Sequence, residues 1–280
     1  MDSQETTPTV SRQPSFESSQ RPSLPPQHST ASKAWSYMNG RIKANTFAEF
    51  ELVLLTFCIG LQDAISFPDF HCFASNQTGN TVFLMLAIVL PEMNGEMFVT
   101  ANIGVALGFF LASAWLTGQL GHIIGPRRRI FIITCHFLQT CLVFAAAALQ
   151  YTGKGGVVEL SGPRTLVAIG LLATAAGSQV VLSRALGMTE ISTAMATAAW
   201  VDLVVDKNLC AKANRSRNRR LAFLGSLVLG TIAGAFIFKT VGSPAALAVS
   251  GAGKLLVTGM FMFNPVEEED DPREKKKEMV

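Results

Sequence analysis

The chain has 280 residues, of which 49% are hydrophobic and only 15% charged, with a formal net charge of +3. A soluble domain carries about 25% charged residues, so this composition argues against an ordinary soluble protein. It also shows no basic groove with aromatic platforms, which argues against nucleic-acid binding.

Several apolar runs reach the ~20 residues needed to cross a bilayer. A membrane barrel would instead show alternating ~10-residue segments. The expected fold class is therefore all-α, a polytopic transmembrane helical bundle.

Residues 1–46 open as a Ser/Thr/Pro/Gln-rich tail that cannot bury a core and reads as disordered and cytoplasmic. Within it, residues 34–47 suggest a short interfacial helix anchored by Trp35, Tyr37 and Phe47. Lys33, Arg41 and Lys43 precede the first apolar run, which by the positive-inside rule places the N-terminus in the cytoplasm. The run begins near Phe47, too late for a cleaved signal peptide, and should act as a signal anchor.

Apolar segments follow at about 48–66, 70–90, 98–121, 130–151, 165–187, 188–206, 221–240 and 243–263. Eight crossings would put Arg127, Arg128 and Arg129 outside. If 48–66 with 70–90, and 165–187 with 188–206, each make one net crossing, those arginines lie inside. So do the cluster Lys207, Lys212, Arg215, Arg217, Arg219 and Arg220 and the charged tail 264–280. The acidic connection with Glu92 and Glu96 and the Gly-rich loop 152–164 then lie outside. Six net crossings with both termini cytoplasmic is the expected arrangement.

The first short segment contains the polar stretch LQDAISFPDFHCFASNQTGNTVFLML, from Leu61 to Leu86. An unpaired polar group in hydrocarbon costs several kcal/mol, so the stretch reads as a broken, inward-facing element. A water-exposed loop between two spans is the alternative. Thr78-Gly79-Asn80 could open a half-helix, because Gly permits unusual φ and Thr or Asn can cap. Its positive end would aim at an anion or a polar solute. Asp63 reads as a carboxylate able to carry a proton, with Asp69 and His71 nearer an interface. His122 reads as interfacial, and His136, alone on an apolar run, as a buried structural histidine.

The chain also resembles itself. NIGVALGFFLASAWLTGQLG from Asn102 matches FLGSLVLGTIAGAFIFKTVG from Phe223, with Gly108 against Gly230 and Ala112 against Gly234. Small residues at spacing four, Gly104, Gly108 and Ala112 in one copy and Gly230 and Gly234 in the other, suit close helix packing. Thr78 matches Thr197 at about the same repeat distance, and Asp63 falls close to Arg184. Residues 47–151 and 165–263 thus read as two membrane repeats, probable inverted copies. Asp63 and Arg184 would pair near the midplane, because a lone buried charge costs far more than a pair.

GLQDAISF (Gly60–Phe67), FASNQTGNTVFL (Phe73–Leu84), AWVDLVVDKNL (Ala199–Leu209) and NRSRNRR (Asn214–Arg220) resemble the YoaK-type DUF1275 membrane proteins in their fungal form. The resemblance covers roughly residues 45–263. Where relatives tend to repeat a Thr-Gly, this chain has Thr197-Ala198. The family's function is uncharacterised, so the resemblance implies a membrane architecture and no substrate.

No GxSxG, HExxH, P-loop or CxxC pattern occurs, so an enzyme is not expected, nor a cofactor or a metal. The five cysteines, Cys58, Cys72, Cys135, Cys141 and Cys210, read as buried thiols. The leading functional reading is a secondary transporter or permease of a small polar or anionic solute. Asp63, Asn76, Gln77, Thr78, Gly79, Asn80, Arg184 and Thr197 would line its site. The alternatives are a membrane-bound lipid-binding protein or enzyme, and a non-catalytic scaffold.

Overall fold

The computed structural model of the chain describes residues 30–153, 159–191 and 193–267. The disorder expected before residue 30 and the tail beyond residue 267 lie outside these. The described residues form nine α-helices and no strand of a sheet, only isolated bridges. In chain order they are α1 (Thr30–Asn39), α2 (Thr46–Phe70), α3 (Gln77–Val89), α4 (Thr100–Ile124), α5 (Arg129–Tyr151), α6 (Pro163–Ala185), α7 (Ala196–Val204), α8 (Arg215–Thr240) and α9 (Ser243–Met260).

Five of these, α2, α4, α5, α6 and α8, are long and apolar enough to cross a bilayer. At 1.5 Å per residue, 25-residue α2 runs about 37 Å, more than the ~30 Å hydrocarbon core. The 18 residues of α9 run about 27 Å. By contrast α3, with 13 residues, and α7, with 9, are only about 20 and 14 Å long. Those two cannot span, and both sit where the sequence suggests interrupted segments. The interfacial helix ends at Asn39, several residues short of its expected limit.

Two buried apolar clusters define the ends of the bundle. Leu52 and Leu55 of α2, Phe131 and Ile132 of α5, Leu182 of α6, Phe223 and Leu224 of α8 and Val257 of α9 meet in one. Ile65 and Phe70 of α2, Ile103 and Ala106 of α4, Val143 and Ala146 of α5, Ala168 and Ile169 of α6 and Ala246 and Leu247 of α9 meet in the other. The six long helices therefore alternate in direction. α3 packs at the second end and α7 at the first. The first end also gathers the described arginines other than Arg164, and is called the basic end below.

α2 and α6 are the most buried of the five apolar spans. α2 packs along α8 and α9, α6 along α4 and α5, and α5 against α9. Each of these pairings joins a helix of α2–α5 to one of α6–α9. The perimeter is apolar: Leu111, Trp115, Leu229, Ile232 and Phe236 are all exposed, as a lipid-facing surface requires.

Glycines let the central helices approach. A Cβ on Gly230 would stand 2.3 Å from the Phe57 carbonyl oxygen, and one on Gly234 would stand 2.8 Å from that of Leu61. On the same seam, a Cβ on Gly60 would meet the Leu227 carbonyl oxygen at 2.6 Å. The other copy differs from expectation. Gly104, Gly108 and Ala112 are exposed, and the two glycines have open space where a Cβ would go. The α4–α6 approach is made instead by Gly177 of α6, whose Cβ would meet the Phe110 carbonyl oxygen at 2.4 Å. The glycine moved to the more buried partner, so the stripe on α4 faces outward.

At the basic end the segments 40–43 and 264–267 are tied together. Ile42 N–H donates to the Arg127 carbonyl (2.9 Å), Lys43 N–H to that of Pro265 (3.1 Å) and Glu267 N–H to that of Arg41 (2.7 Å). Buried Arg129 donates to the carbonyls of Tyr37 (2.6 Å) and Asn264, and its guanidinium lies 3.7 Å from the centre of the Tyr37 ring. Buried Glu51 accepts both its hydrogen bonds from the Asn264 amide, at 2.7 Å each. The beginning and end of the described chain thus lie on one side of the bundle.

Gly230→Ala should lower thermal stability in detergent by about 1–3 kcal/mol through overpacking. Gly225→Ala, in open space on the same helix, should raise it by about 0.5–1 kcal/mol through helix propensity. Equal shifts for the two would show that the α2–α8 seam is not glycine-dependent.

Candidate functional site

The TGN stretch is a folded corner. Pro68 lies in the last turn of α2, and His71 caps that helix with φ 51°, donating its N–H to the Phe67 carbonyl (2.9 Å). Residues 71–76 then turn back along α2, and Ser75 Oγ reaches both oxygens of Asp63 at 2.6 and 2.7 Å. Buried Asn80 clamps this turn. Its Oδ1 accepts from Phe73 N–H (2.9 Å), and its Nδ2 donates to the Phe73 carbonyl (2.6 Å) and to Gln77 Oε1 (2.8 Å). Asn76 caps α3, its Oδ1 accepting from Gly79 N–H at 3.4 Å. A Cβ at Gly79 would sit 3.2 Å from the Phe73 ring. The Phe67 ring stacks on those of Phe73 and Phe83, and Phe83 on Phe98. Asp63, Ser75, Asn76, Gln77 and Asn80 are thus spent on their own neighbours, whereas Thr78 is exposed and His71 Nδ1 is buried without a partner among the described residues.

Arg184 and Thr197 lie elsewhere. Both are exposed at the basic end, and Arg184 Nη2 contacts the Met195 sulfur at 3.1 Å. The expected Asp63–Arg184 pair is not formed. α2 and α6 run in opposite directions, so a residue late in α2 and one late in α6 fall at opposite ends. The eight residues proposed from sequence therefore form two groups, the corner and the basic end. They do not line one chamber.

The polar groups that do meet inside the bundle come from four facing helices, two of them the most buried spans. On α2, Gln62 Nε2 donates to Ser250 Oγ of α9 at 2.8 Å, and Ser250 Oγ donates to the Cys58 carbonyl at 2.9 Å. On α5, Gln139 Nε2 donates to Ser178 Oγ of α6 at 3.0 Å. Between these two contacts lies Lys254 of α9, only 1% exposed. Its Nζ donates to Gln179 Oε1, and Gln179 Nε2 donates to the Leu55 carbonyl at 3.4 Å. Cys58 and His136 stand within electrostatic reach of the lysine. His136 stacks on Phe261 with ring centres 4.8 Å apart.

The spacing is helical: Cys58 and Gln62, and Ser250 and Lys254, are each four apart and share a face. Gln62 Oε1, Gln139 Oε1 and His136 Nδ1 are buried without a hydrogen-bond partner among the described residues. An ammonium in such a core is costly unless paired, and no carboxylate answers Lys254 among the described residues. Sequence inspection passed over Lys254 and Gln62. The available signal was a single lysine inside the apolar run 243–263.

The remaining charges pair at the basic end. Arg215 and Arg219 both hold Glu49, and Arg219 also reaches Glu190 at 3.3 Å. Arg220 lies 3.6 Å from Asp202 and 3.5 Å from Asp206. The N–H of Asn208 and the Asn214 amide hold the Asp206 carboxyl below its ordinary range. Arg215, Arg219 and Arg220 thus lie on α8 in an ion-pair network. Asp69, expected near an interface, is buried at the opposite end, with Gln150 Nε2 3.5 Å away. Cys141 and Cys210 are exposed, unlike buried Cys58 and Cys72.

If Asn80 is a clamp, Asn80→Leu strands the buried backbone of Phe73 and should lower stability by about 2 kcal/mol or more. Thr78→Val, at an exposed position, should change it by no more than about 0.5 kcal/mol. Thermal unfolding of both variants in detergent checks this, and a harmless Asn80→Leu would contradict it.

The profile of a family described as "Protein of unknown function (DUF1275)" matches residues 52–260. No curated protein and no solved structure matches the chain. The matched segment holds every helix from early α2 to the end of α9, including both the Asn80 corner and the Lys254 core. This polytopic helical membrane protein belongs to the DUF1275 family.

Proposed function

We propose that the protein is a secondary transporter or permease for a small anionic or polar solute, with Lys254 as its internal recognition group. One observation carries the reading: a lysine is buried among amides and hydroxyls between four facing helices, with no carboxylate partner among the described residues. Ionisable groups inside membrane bundles are rare and generally mark solute or ion pathways. Gln62, Gln139, Gln179 and Ser250 would supply further hydrogen bonds around the solute.

The reading includes an inverted repeat, α2–α5 against α6–α9. It is supported by the exchange of helix pairings: α2–α8 with α6–α4, and α2–α9 with α6–α5. Inverted repeats characteristically meet around a site at mid-membrane. The concentration of arginines at one end supports placing that end, with both termini, in the cytoplasm. No reaction chemistry is assigned to the chain.

Two measurements test this. In proteoliposomes offered labelled chloride, inorganic phosphate and simple carboxylates, the wild-type chain should take up at least one, and Lys254→Gln should reduce that uptake more than about tenfold, the effect of losing about 1.4 kcal/mol of binding. Full uptake by the Lys254→Gln variant, or none of any anion by the wild type, would contradict the proposal. In intact cells, single cysteines at Arg128 and at Ser216 should label only from the cytoplasmic side, and one at Glu96 only from the other. Labelling of positions 96 and 128 from one side would overturn the orientation.

A further inference from the structure

Described residues of α6, α7 and the segment between them line a cavity of about 360 Å³ that shares no residue with the Lys254 core. Charged Arg184, Glu190 and Asp202 line it, together with apolar Met188, Ile191 and Met195. Its volume falls in the range of small-ligand sites, about 300–1,000 Å³.

The charges are arranged unequally. The carbonyls that end α6 are already served: Arg127 Nε donates to Ala185 at 2.8 Å and Nη2 reaches Leu186 at 3.4 Å. Arg184 is therefore not needed as a helix cap. Its hydrogen-bond partner among the described residues is the thioether of Met195, a weak acceptor. A guanidinium is built to hold two oxygens of a phosphate or carboxylate in a fork. Glu190 and Asp202 are braced from behind by Arg219 and Arg220, yet a carboxylate has about four acceptor positions and can take further N–H donors. The cavity thus offers one cationic fork and two anionic acceptors, the complement of a zwitterion.

The surroundings point to where that zwitterion comes from. α7 buries Ala199 against the basic-end cluster and exposes Trp200, Val201, Val204 and Val205. A short helix with an apolar, tryptophan-bearing outer face belongs in the headgroup region of a bilayer. The cavity is lined by Ala198, Ala199 and Asp202 of the same helix. Ligand and acyl chains could therefore be accommodated together, the headgroup inside and the chains along α7.

We propose that this cavity binds an amine-bearing phospholipid, with its phosphate on Arg184 and its primary ammonium on Glu190 and Asp202. The recognised chemistry is a phosphate beside a primary ammonium. A choline headgroup presents the same phosphate, but its trimethylammonium has no N–H to give. The carboxylates therefore select the primary amine, and Arg184 supplies affinity common to both headgroups.

The test uses the full-length purified protein in delipidated micelles, titrated with short-chain phosphatidylethanolamine and phosphatidylcholine and read by native mass spectrometry. The ethanolamine lipid should bind about tenfold or more tighter than the choline lipid, and Arg184→Gln should weaken both by a similar factor, as expected for one charge-assisted pair. Asp202→Asn should erase most of the preference while leaving choline-lipid binding in place. Arg128→Gln, an exposed arginine at the same end, should change neither. Glycerophosphoethanolamine, the same headgroup without chains, should compete only at far higher concentration. Equal binding of the two lipids, or unaltered binding by Arg184→Gln, would overturn the proposal. Competition by the soluble headgroup at matched concentration would overturn the lipid assignment and leave a water-soluble zwitterion. All three substitutions are at exposed positions, and each variant's thermal transition in detergent verifies that it is folded.

Discussion

A polar group carried into a bilayer must find its partner within the protein, because the hydrocarbon offers none. That constraint organises this chain. It explains why Asn80 turns all its hydrogen-bonding capacity onto Phe73 and Gln77, and why Ser75 folds back onto Asp63. It explains why Glu51, Asn264, Arg129 and Tyr37 form one connected set at the basic end. Neither this set, which leaves Arg129 Nε and Asn264 Oδ1 without a partner, nor the Lys254 core, with an ammonium held by a neutral amide and two glutamine oxygens left over, satisfies it fully. Where a folded protein tolerates such an imbalance, function is the ordinary reason.

The three polar regions have different consequences. The corner at Asn80 fixes how α3 leaves α2, and with the Phe67, Phe73, Phe83 and Phe98 rings it closes the end away from the arginines. The ties among residues 37–43, 125–129 and 262–267 close the basic end. Between them lie the serines, glutamines and lysine of α2, α5, α6 and α9. Under the transport proposal, a polar centre flanked by a tied region at each end would suit alternating access. The glycine seams, Gly60, Gly230 and Gly234 on one side and Gly177 on the other, bring backbones into close contact.

Much of the architecture was legible in the sequence. The apolar runs mark the long helices, and the polar interruptions mark the short ones, because length and hydropathy decide what can cross a bilayer. The arginine clusters identify one end of the bundle, since charges collect where water is. The site was less legible. Asp63, Thr78 and Arg184 stand out by composition, but which face of a helix a residue occupies, and at which end, follows only from packing. Antiparallel α2 and α6 carry matching positions to opposite ends, so sequence correspondence between Asp63 and Arg184 could not bring them together. Lys254 was hidden for the converse reason: an isolated lysine within an apolar run resembles a residue that reaches an interface, and only its neighbours show it to be enclosed. Gly104 and Gly108 mislead similarly, since small residues suit a seam but do not say which surface bears it.

Solvent access to the core around Lys254 tests the account most directly. Cys58 is a native reporter there, because its carbonyl accepts from Ser250 and its sulfur lies close to Gly253 of α9. With the other four cysteines replaced by serine, Cys58 should react in proteoliposomes with a small membrane-impermeant thiol reagent applied from either side, and Lys254→Gln should alter that reactivity. If Cys58 stays unreactive from both sides while the protein remains folded, the interior is a dry, closed core, and the transport reading is contradicted.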